Sequence, residues 1–212
     1  GYYTPVSGPA RGAGCRAITG RAEDDGEACR VTVLMRGDGA VETMLVAPNP
    51  SNINQGSWDP WRELAPFTVD VDADGTPEIV SGSDVWRNVG GTWQLLWQSE
   101  YEPIQSLAAD LDGDGKPEIV HVHVFDKTGA GQGTRAAFGG DLYRFSGLLI
   151  LDGETGAEKR RIRLPIYWTS WLTIADVDGD HAPDFVWNTG GRVWAIGADG
   201  RIRWTYAFIP GH

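Results

Sequence analysis

Short segments in which apolar and polar residues alternate recur along the chain, and turns rich in Gly, Asp and Asn separate them. Alternation with a period of two is typical of β-strands with one buried face, and no segment shows the helical period of 3.6 convincingly. Residues 67–70, 106–110 and 172–176 are clear examples, and each precedes an acidic loop and a second apolar segment. The pattern therefore predicts an all-β protein.

The segments after each acidic loop also repeat. Residues 84–97 read as two strands around a Gly-Gly turn, and residues 192–204 as two strands around Asp199-Gly200, a hairpin signal. Each unit is thus strand, acidic loop, strand, turn, strand, turn, strand. Four antiparallel strands in a unit of about 40 residues are typical of a β-propeller blade. We therefore expect a β-propeller-like array of four-stranded antiparallel blades.

The predicted organisation has three parts. Residues 1–14 have the composition of a Gly/Pro-rich tail, and residues 15–66 are expected to form a degenerate first blade without an acidic loop. Residues 67–212 hold three full blades, at about 67–100, 104–165 and 168–208, the second with a Gly-rich insertion. Propellers typically close with four to eight blades, so three full blades and a partial fourth predict an array that is open or completed by another chain.

Three acidic loops start at residues 70, 110 and 176 and share one pattern. Aspartates occupy positions 1, 3 and 5, a proline position 8 and a further carboxylate position 9. Like charges this close repel by about 1 kcal/mol or more per pair, so a counter-charge is expected among them. The carboxylates are Asp70, Asp72, Asp74 and Glu78; Asp110, Asp112, Asp114 and Glu118; and Asp176, Asp178, Asp180 and Asp184.

Calcium is the predicted counter-ion, at about three ions per chain. It is a hard cation that takes six to eight oxygen ligands, which carboxylates on alternate positions of a turn supply. The backbone carbonyls at position 7 are the remaining predicted ligands: Thr76, Lys116 and Ala182. Glycine at position 6 of the first two loops permits a positive φ, and His181 at that position of the third should cost on the order of 1 kcal/mol.

The loops and their flanking strands resemble the FG-GAP repeats, also called VCBS repeats, of integrin α-subunit propellers and of many secreted bacterial proteins. In that family, Asp-x-Asp-x-Asp-Gly-x-x-Asp loops bind calcium between the first two strands of a blade. The resemblance covers about residues 65–208 and carries over the metal loops. The Phe-Gly and Gly-Ala-Pro parts of the family pattern are poorly kept, so seven-blade closure is not carried over.

Composition narrows the classes of partner. The net charge of −11 argues against nucleic acid, because phosphate binding needs a basic face. The three loops hold twelve of the 29 acidic residues, and three divalent cations would offset about half of the net charge. No run of about 18 apolar residues occurs, so we expect no membrane span.

The two cysteines, Cys15 and Cys29, lie close together in the sequence. A disulfide between them would stabilise the fold by roughly 3 kcal/mol and would indicate an oxidising compartment. The alternative is two buried free thiols that pack as small apolar side chains.

Other candidate sites are weaker. Arg36-Gly37-Asp38 spells an integrin-recognition tripeptide, but a hairpin turn accounts for it. His121 and His123 alternate on one strand without an evident third metal ligand, and residues 129–134 lack the Lys-Ser/Thr of a phosphate loop. No nucleophile motif or catalytic Cys-His pair is present, so we expect no enzyme activity.

Ten tryptophans are present, and most lie on predicted strands, where packing between blades explains them. Trp58 and Trp61 lie instead in a predicted loop and are candidates for contact with a sugar or a partner protein, with core packing as the alternative.

The predicted function is that of a secreted or cell-surface, calcium-stabilised structural or interaction module. Its expected partners are copies of itself, as in an extracellular polymer, or another extracellular protein. A carbohydrate-binding propeller lectin is the first alternative. A non-catalytic or lyase-associated fragment of a longer enzyme is the second.

Overall fold

The computed structural model describes residues 6–11, 16–17, 28–35, 41–48, 66–101, 103, 105–124, 146–164, 172–189 and 192–207. Within these ranges all regular secondary structure is β-strand, and no helix occurs. A helix long and apolar enough to cross a membrane is therefore absent from this part of the chain.

Sixteen strands form four antiparallel sheets of four strands each in the described ranges. The first sheet contains β1 (Val6–Arg11), β2 (Arg16–Ala17), β3 (Ala28–Met35) and β4 (Val41–Pro48), in the order β2-β1-β3-β4. In the other three sheets, consecutive strands are hydrogen-bonded neighbours. These are β5 (Phe67–Val69), β6 (Glu78–Ser81), β7 (Asp84–Val89) and β8 (Thr92–Gln98); β9 (Gln105–Ala109), β10 (Glu118–Val124), β11 (Ser146–Leu151) and β12 (Glu158–Leu164); and β13 (Leu172–Ala175), β14 (Asp184–Thr189), β15 (Arg192–Gly197) and β16 (Ile202–Ala207).

The hairpins form where the turn residues predict them. Gly90 and Gly91, between β7 and β8, have φ values of 59° and 89°, and the amide of Gly91 donates to Asn88 Oδ1 at 2.8 Å. Positive φ at both central residues is the geometry that suits two-residue hairpins. Between β15 and β16, Gly200 has φ 83°, and the amide of Arg201 donates to Asp199 Oδ1 at 2.9 Å.

The third sheet is buried on both faces, which explains the nearly continuous apolar runs of β10 and β11. On one face, Val120, Val122, Leu148, Ile150 and Ile162 pack against the fourth sheet. On the other face, Ile119, Leu149 and Leu151 pack against Val71, Val80 and Val85 of the second sheet and the loop after β5. The first sheet contacts the second through Leu45, which clusters with Ile79 and Trp86. Neighbouring sheets in the sequence are therefore packed face to face.

Polar contacts also link neighbouring sheets. Trp97 Nε1 on β8 donates to the carbonyl of Gly153, after β11, at 2.9 Å. The side-chain amide of Gln105 accepts from the backbone N–H of Leu172 at 2.9 Å and donates to its carbonyl at 3.1 Å. These bonds satisfy polar groups where the sheets meet.

The N-terminal part differs from the sequence expectation. Strand β1 lies inside residues 1–14, for which composition predicts a tail, and it pairs with β3 from Val6↔Val33 to Arg11↔Ala28. The amino-acid composition does not predict this strand, because Gly and Pro are depleted in strands and are accepted only at particular positions. Cys15 lies outside the described residues, so the predicted disulfide with Cys29 stays a prediction.

The tryptophans on strands divide into two groups. Trp187 and Trp86 are buried, as packing between blades predicts. Trp204 on β16 is instead exposed, together with Ile202 and Tyr206 on the same strand. Residues 36–38, Trp58, Trp61 and 129–134 lie outside the described ranges, and the predictions for them stay untested.

Candidate metal centres

Each acidic loop joins the first two strands of a sheet, and the three loops fold alike. They connect β5 to β6, β9 to β10 and β13 to β14. The position-1 carboxylate of each loop accepts two backbone N–H groups from within the turn. Asp70 accepts from Asp74 at 3.0 Å and from Gly75 at 2.8 Å, and Asp110 from Gly113 at 2.7 Å and Gly115 at 2.9 Å. Asp176 does the same with the amides of Gly179 and His181, at 2.7 and 3.0 Å.

The carboxylates at positions 3 and 5 each accept the backbone N–H two residues further on. At position 3 the acceptors are Asp72, Asp112 and Asp178, and the bond measures 3.2 Å in every loop. At position 5 the bond accepted by Asp74 measures 2.7 Å, and those accepted by Asp114 and Asp180 measure 2.8 Å. This side-chain-to-backbone turn explains why aspartate recurs on alternate positions, because its short side chain reaches the amide two residues on.

The position-9 carboxylates are the buried members of each loop. Glu78 is 1%, Glu118 3% and Asp184 2% exposed. One oxygen of each accepts the backbone N–H of position 2, at 3.0 Å from Val71, 2.8 Å from Leu111 and 3.2 Å from Val177. This bond ties the end of the loop to its beginning.

Backbone conformation confirms one sequence prediction and adds a second position. Gly75 and Gly115 at position 6 have φ values of 90° and 89°, and His181 has φ 67°, as expected. Position 4 is also left-handed, with Gly113 at 79°, Gly179 at 82° and Ala73 at 61°. Sequence analysis missed position 4 because the first loop carries alanine there.

Carboxylates of positions 1, 3 and 9 come together in each loop. In each group one oxygen per residue lies within 4.8 Å of the others, and the groups are Asp70, Asp72 and Glu78; Asp110, Asp112 and Glu118; and Asp176, Asp178 and Asp184. All donors are carboxylate oxygens, which fits a hard divalent cation such as calcium. The position-5 aspartates lie outside these groups and cap the turn, and the position-7 carbonyls stay predicted ligands.

A basic side chain also reaches each site, which sequence analysis missed. Arg87 on β7 contacts Asp72 at 2.6 Å and Glu78 at 2.7 Å, and Lys159 on β12 contacts Asp112 at 2.6 Å and Glu118 at 2.5 Å. Arg203 on β16 lies 3.7 Å from both Asp178 and Asp184. The basic residue follows position 9 at a different interval in each unit, so no sequence spacing signals it.

These contacts shift the ionisation of the groups involved. The hydrogen bond from Lys159 lowers the pKa of Asp112, and the bonds to Asp112 and Glu118 raise the pKa of Lys159. The bond to Glu78 likewise raises the pKa of Arg87. In the third loop, the amide of Gly179 lowers the pKa of Asp176. All four shifts favour the charged forms.

Histidine does not contribute to these groups in the described part of the chain. His121 is buried on β10, and neither it nor any other histidine belongs to a described metal-ligating group. The sites are therefore oxygen-only sites there.

Comparisons with solved structures show a similar fold in one case. The biofilm matrix protein Bap1 of V. cholerae aligns over 96% of this chain with 17% identity and a TM-score of 0.52. The rhamnogalacturonan lyase YesW (18% identity, 95% of this chain, 47% of that chain) and the Bacillus licheniformis rhamnogalacturonan lyase PL11 (19%, 99%, 48%) align with TM-scores of only 0.44 and 0.42. This chain spans 28% of the Bap1 chain.

A search of curated proteins found no significant match to the sequence. A family model does match, and it spans the first acidic loop, the second acidic loop and the strands between them. Residues 70–121 match the model described as the FG-GAP-like repeat, which confirms the resemblance for this segment.

Proposed function

We propose that the three acidic loops are calcium sites that stabilise the blades of a propeller-type extracellular module. The observation that carries this proposal is the threefold repetition of one geometry. The same three loop positions converge at the same place in three sheets, between the first and second strands. In each group the position-9 carboxylate is buried and the carboxylates of positions 1 and 3 lie beside it.

The ligands we propose are the carboxylates of positions 1, 3, 5 and 9, with the position-7 carbonyl. Calcium supplies two positive charges to a loop that carries four carboxylates, and so offsets repulsion that otherwise opposes folding. Since position 1 follows the first strand and position 9 begins the second, a bound ion ties these two strands together at their shared end.

Calorimetric titration of the calcium-free chain tests this proposal. We expect about three calcium ions per chain, and a melting temperature that rises in millimolar calcium and returns to its metal-free value with a chelator, because a ligand that binds the folded state stabilises it. Magnesium at the same concentration is the control, since it requires a smaller octahedral site and should stabilise much less. Absence of both calcium heat and thermal stabilisation would refute the proposal.

The site-directed form of this test removes one ligand at a time. Asp110→Asn keeps the size of the side chain but removes its charge and one of its two turn bonds, because Gly113 donates to Oδ1 and Gly115 to Oδ2. We expect it to abolish one calcium site and leave the other two. Asp152→Asn is the matched control, because Asp152 accepts two bonds from Thr155 in an ordinary turn outside the metal-ligating groups.

The biological role that we propose is a non-catalytic interaction module outside the cell. The FG-GAP-like repeat at residues 70–121 and the fold shared with a biofilm matrix protein support this assignment. A propeller-like arrangement of the sheets is part of the proposal, supported by their face-to-face packing in sequence order.

The partner that we propose is a second copy of the chain. Strand β16 is at the edge of its sheet in the described part of the chain, and Ile202, Trp204 and Tyr206 on it are exposed. Consecutive sheets within the chain already pack on one another through apolar faces, so another copy offers the kind of surface that would continue this packing.

A further inference from the structure

One basic side chain reaches the same two carboxylates in each acidic loop. Arg87, Lys159 and Arg203 each lie between the carboxylates of positions 3 and 9 of their own sheet. They come from different strands, β7, β12 and β16, and from two residue types. Three different basic residues place a positive charge between the same two carboxylates, which indicates that a positive charge is needed there.

Burial explains why a positive charge is placed there. The position-9 carboxylate is almost fully buried in each loop, and a buried charge is costly unless it is paired. One of its oxygens accepts the position-2 amide, and in the first two loops the other oxygen accepts the basic side chain. The basic residue therefore completes the hydrogen bonding of this carboxylate without a metal.

The third site provides space for its basic residue by omitting a side chain. Gly197 on β15 lies opposite Asp184 in the sheet, and a Cβ at Gly197 would overlap the guanidinium of Arg203. The φ of Gly197 is not in the left-handed region, so the backbone itself does not require glycine there. The position of Arg203 beside the loop is therefore supported by the surrounding structure.

We propose that Arg87, Lys159 and Arg203 are built-in counter-ions that compete with calcium for the carboxylates of positions 3 and 9. This inference rests on the proposed calcium sites. In the metal-free chain the basic side chain holds the two carboxylates together, and calcium binds by displacing it. Each loop thus keeps its fold without metal, and its affinity for calcium is lower than its carboxylates alone would give.

The first two sites are the sharpest place to test the competition, because the basic atoms there lie 2.5 to 2.7 Å from the carboxylate oxygens. Calcium titrations of the full chain, in calcium buffered by a chelator, would compare wild type with Arg87→Gln and Lys159→Gln. We expect each substitution to tighten one site by about three- to tenfold, since it removes a competing charge next to the carboxylates. The melting temperature in chelator should fall in both variants.

Matched controls remove an equal charge nearby. Arg161→Gln is on β12, two residues from Lys159, and Arg161 pairs with Glu158 at 2.6 Å instead of a loop carboxylate. We expect it to leave the three calcium affinities unchanged. Gly197→Ala supplies the complementary test in the third site, because it displaces Arg203 without altering any charge and should tighten that site.

Amine reactivity distinguishes displacement from simple repulsion. If calcium displaces Lys159, its side chain should react faster with an amine reagent in calcium than in chelator, whereas Lys127, which belongs to none of the three acidic loops in the sequence, serves as the internal reference. Equal reactivity of Lys159 in both conditions would overturn the displacement.

The outcomes separate this inference from the proposed function. Calcium binding by wild type without tightening in Arg87→Gln and Lys159→Gln would overturn the competition and leave the calcium sites intact. Weak calcium binding by wild type that becomes tighter in these variants would support both the calcium sites and the competition. No calcium binding by any form would overturn both.

Discussion

At the scale of single residues, two loop positions must adopt left-handed backbone, and one of them carries alanine. Ala73 has φ 61°, where its counterparts in the other loops are Gly113 and Gly179. A non-glycine residue in this region costs roughly 1–2 kcal/mol, partly offset by the greater freedom of glycine in the unfolded chain. We therefore expect Ala73→Gly to stabilise the metal-free chain by about 1 kcal/mol, as measured by denaturant unfolding.

The control for this substitution is Ala182→Gly at position 7 of the third loop, which is exposed and is not among the positive-φ residues. This substitution relieves no backbone strain and only increases the conformational freedom of the unfolded chain, so it should destabilise the folded chain by about 0.4–1 kcal/mol. The two alanine-to-glycine changes should therefore have opposite signs, and destabilisation by Ala73→Gly would contradict the left-handed conformation.

At this scale the sequence predicts the chemistry of the loops better than it predicts their backbone conformation. Alternate aspartates, a glycine and a closing carboxylate are local features, so all three loops and the conformation of His181 are predictable. The requirement at position 4 is hidden because one loop of three violates it. Arg87, Lys159 and Arg203 are hidden for a different reason: strand pairing brings them to the loops, and pairing registers are not local.

At the scale of elements, the contact between the second and third sheets depends on a glycine. Gly156, in the turn before β12, has φ 72°, and a Cβ built on it would lie 2.6 Å from the ring of Trp97 on β8. Gly156→Ala should therefore lose about 1–2 kcal/mol from its backbone and a further 1–3 kcal/mol from the displaced ring. Denaturant unfolding measures the total.

Gly91→Ala isolates the contribution of the contact. Gly91 has φ 89°, and its added Cβ would meet nothing within 4 Å, so only the backbone cost applies. We expect Gly156→Ala to be the more destabilising of the two by the cost of moving Trp97. Equal losses in both variants would mean that the indole does not limit this turn.

Strands and hairpins follow from sequence at the scale of elements, and the contacts between sheets do not. Period-two alternation, the apolar runs of β10 and β11 and the glycine turns locate β5 to β16 closely. The association of Trp97 with Gly153 and of Gln105 with Leu172 depends on which sheets become neighbours. Strand β1 was hidden because residues 1–14 carry too few apolar side chains to mark a strand.

At the scale of the whole molecule, self-association is the property most sensitive to the exposed apolar residues of β16. Light scattering in millimolar calcium should give a mass that is a multiple of the 23.0 kDa chain, because burial of Trp204 and Tyr206 against another copy removes a large apolar area from water.

The double variant Trp204→Ser with Tyr206→Ser should return the mass to that of one chain. Thr205→Ala, on the opposite face of the same strand, should leave the assembly unchanged. Chelation should weaken the assembly only as far as it lowers the stability of the sheets, since Trp204 and Tyr206, which form the proposed contact, are not among the loop carboxylates. A mass of one chain at every protein concentration, with and without calcium, would exclude self-association through this strand and leave a different extracellular protein as the partner to seek.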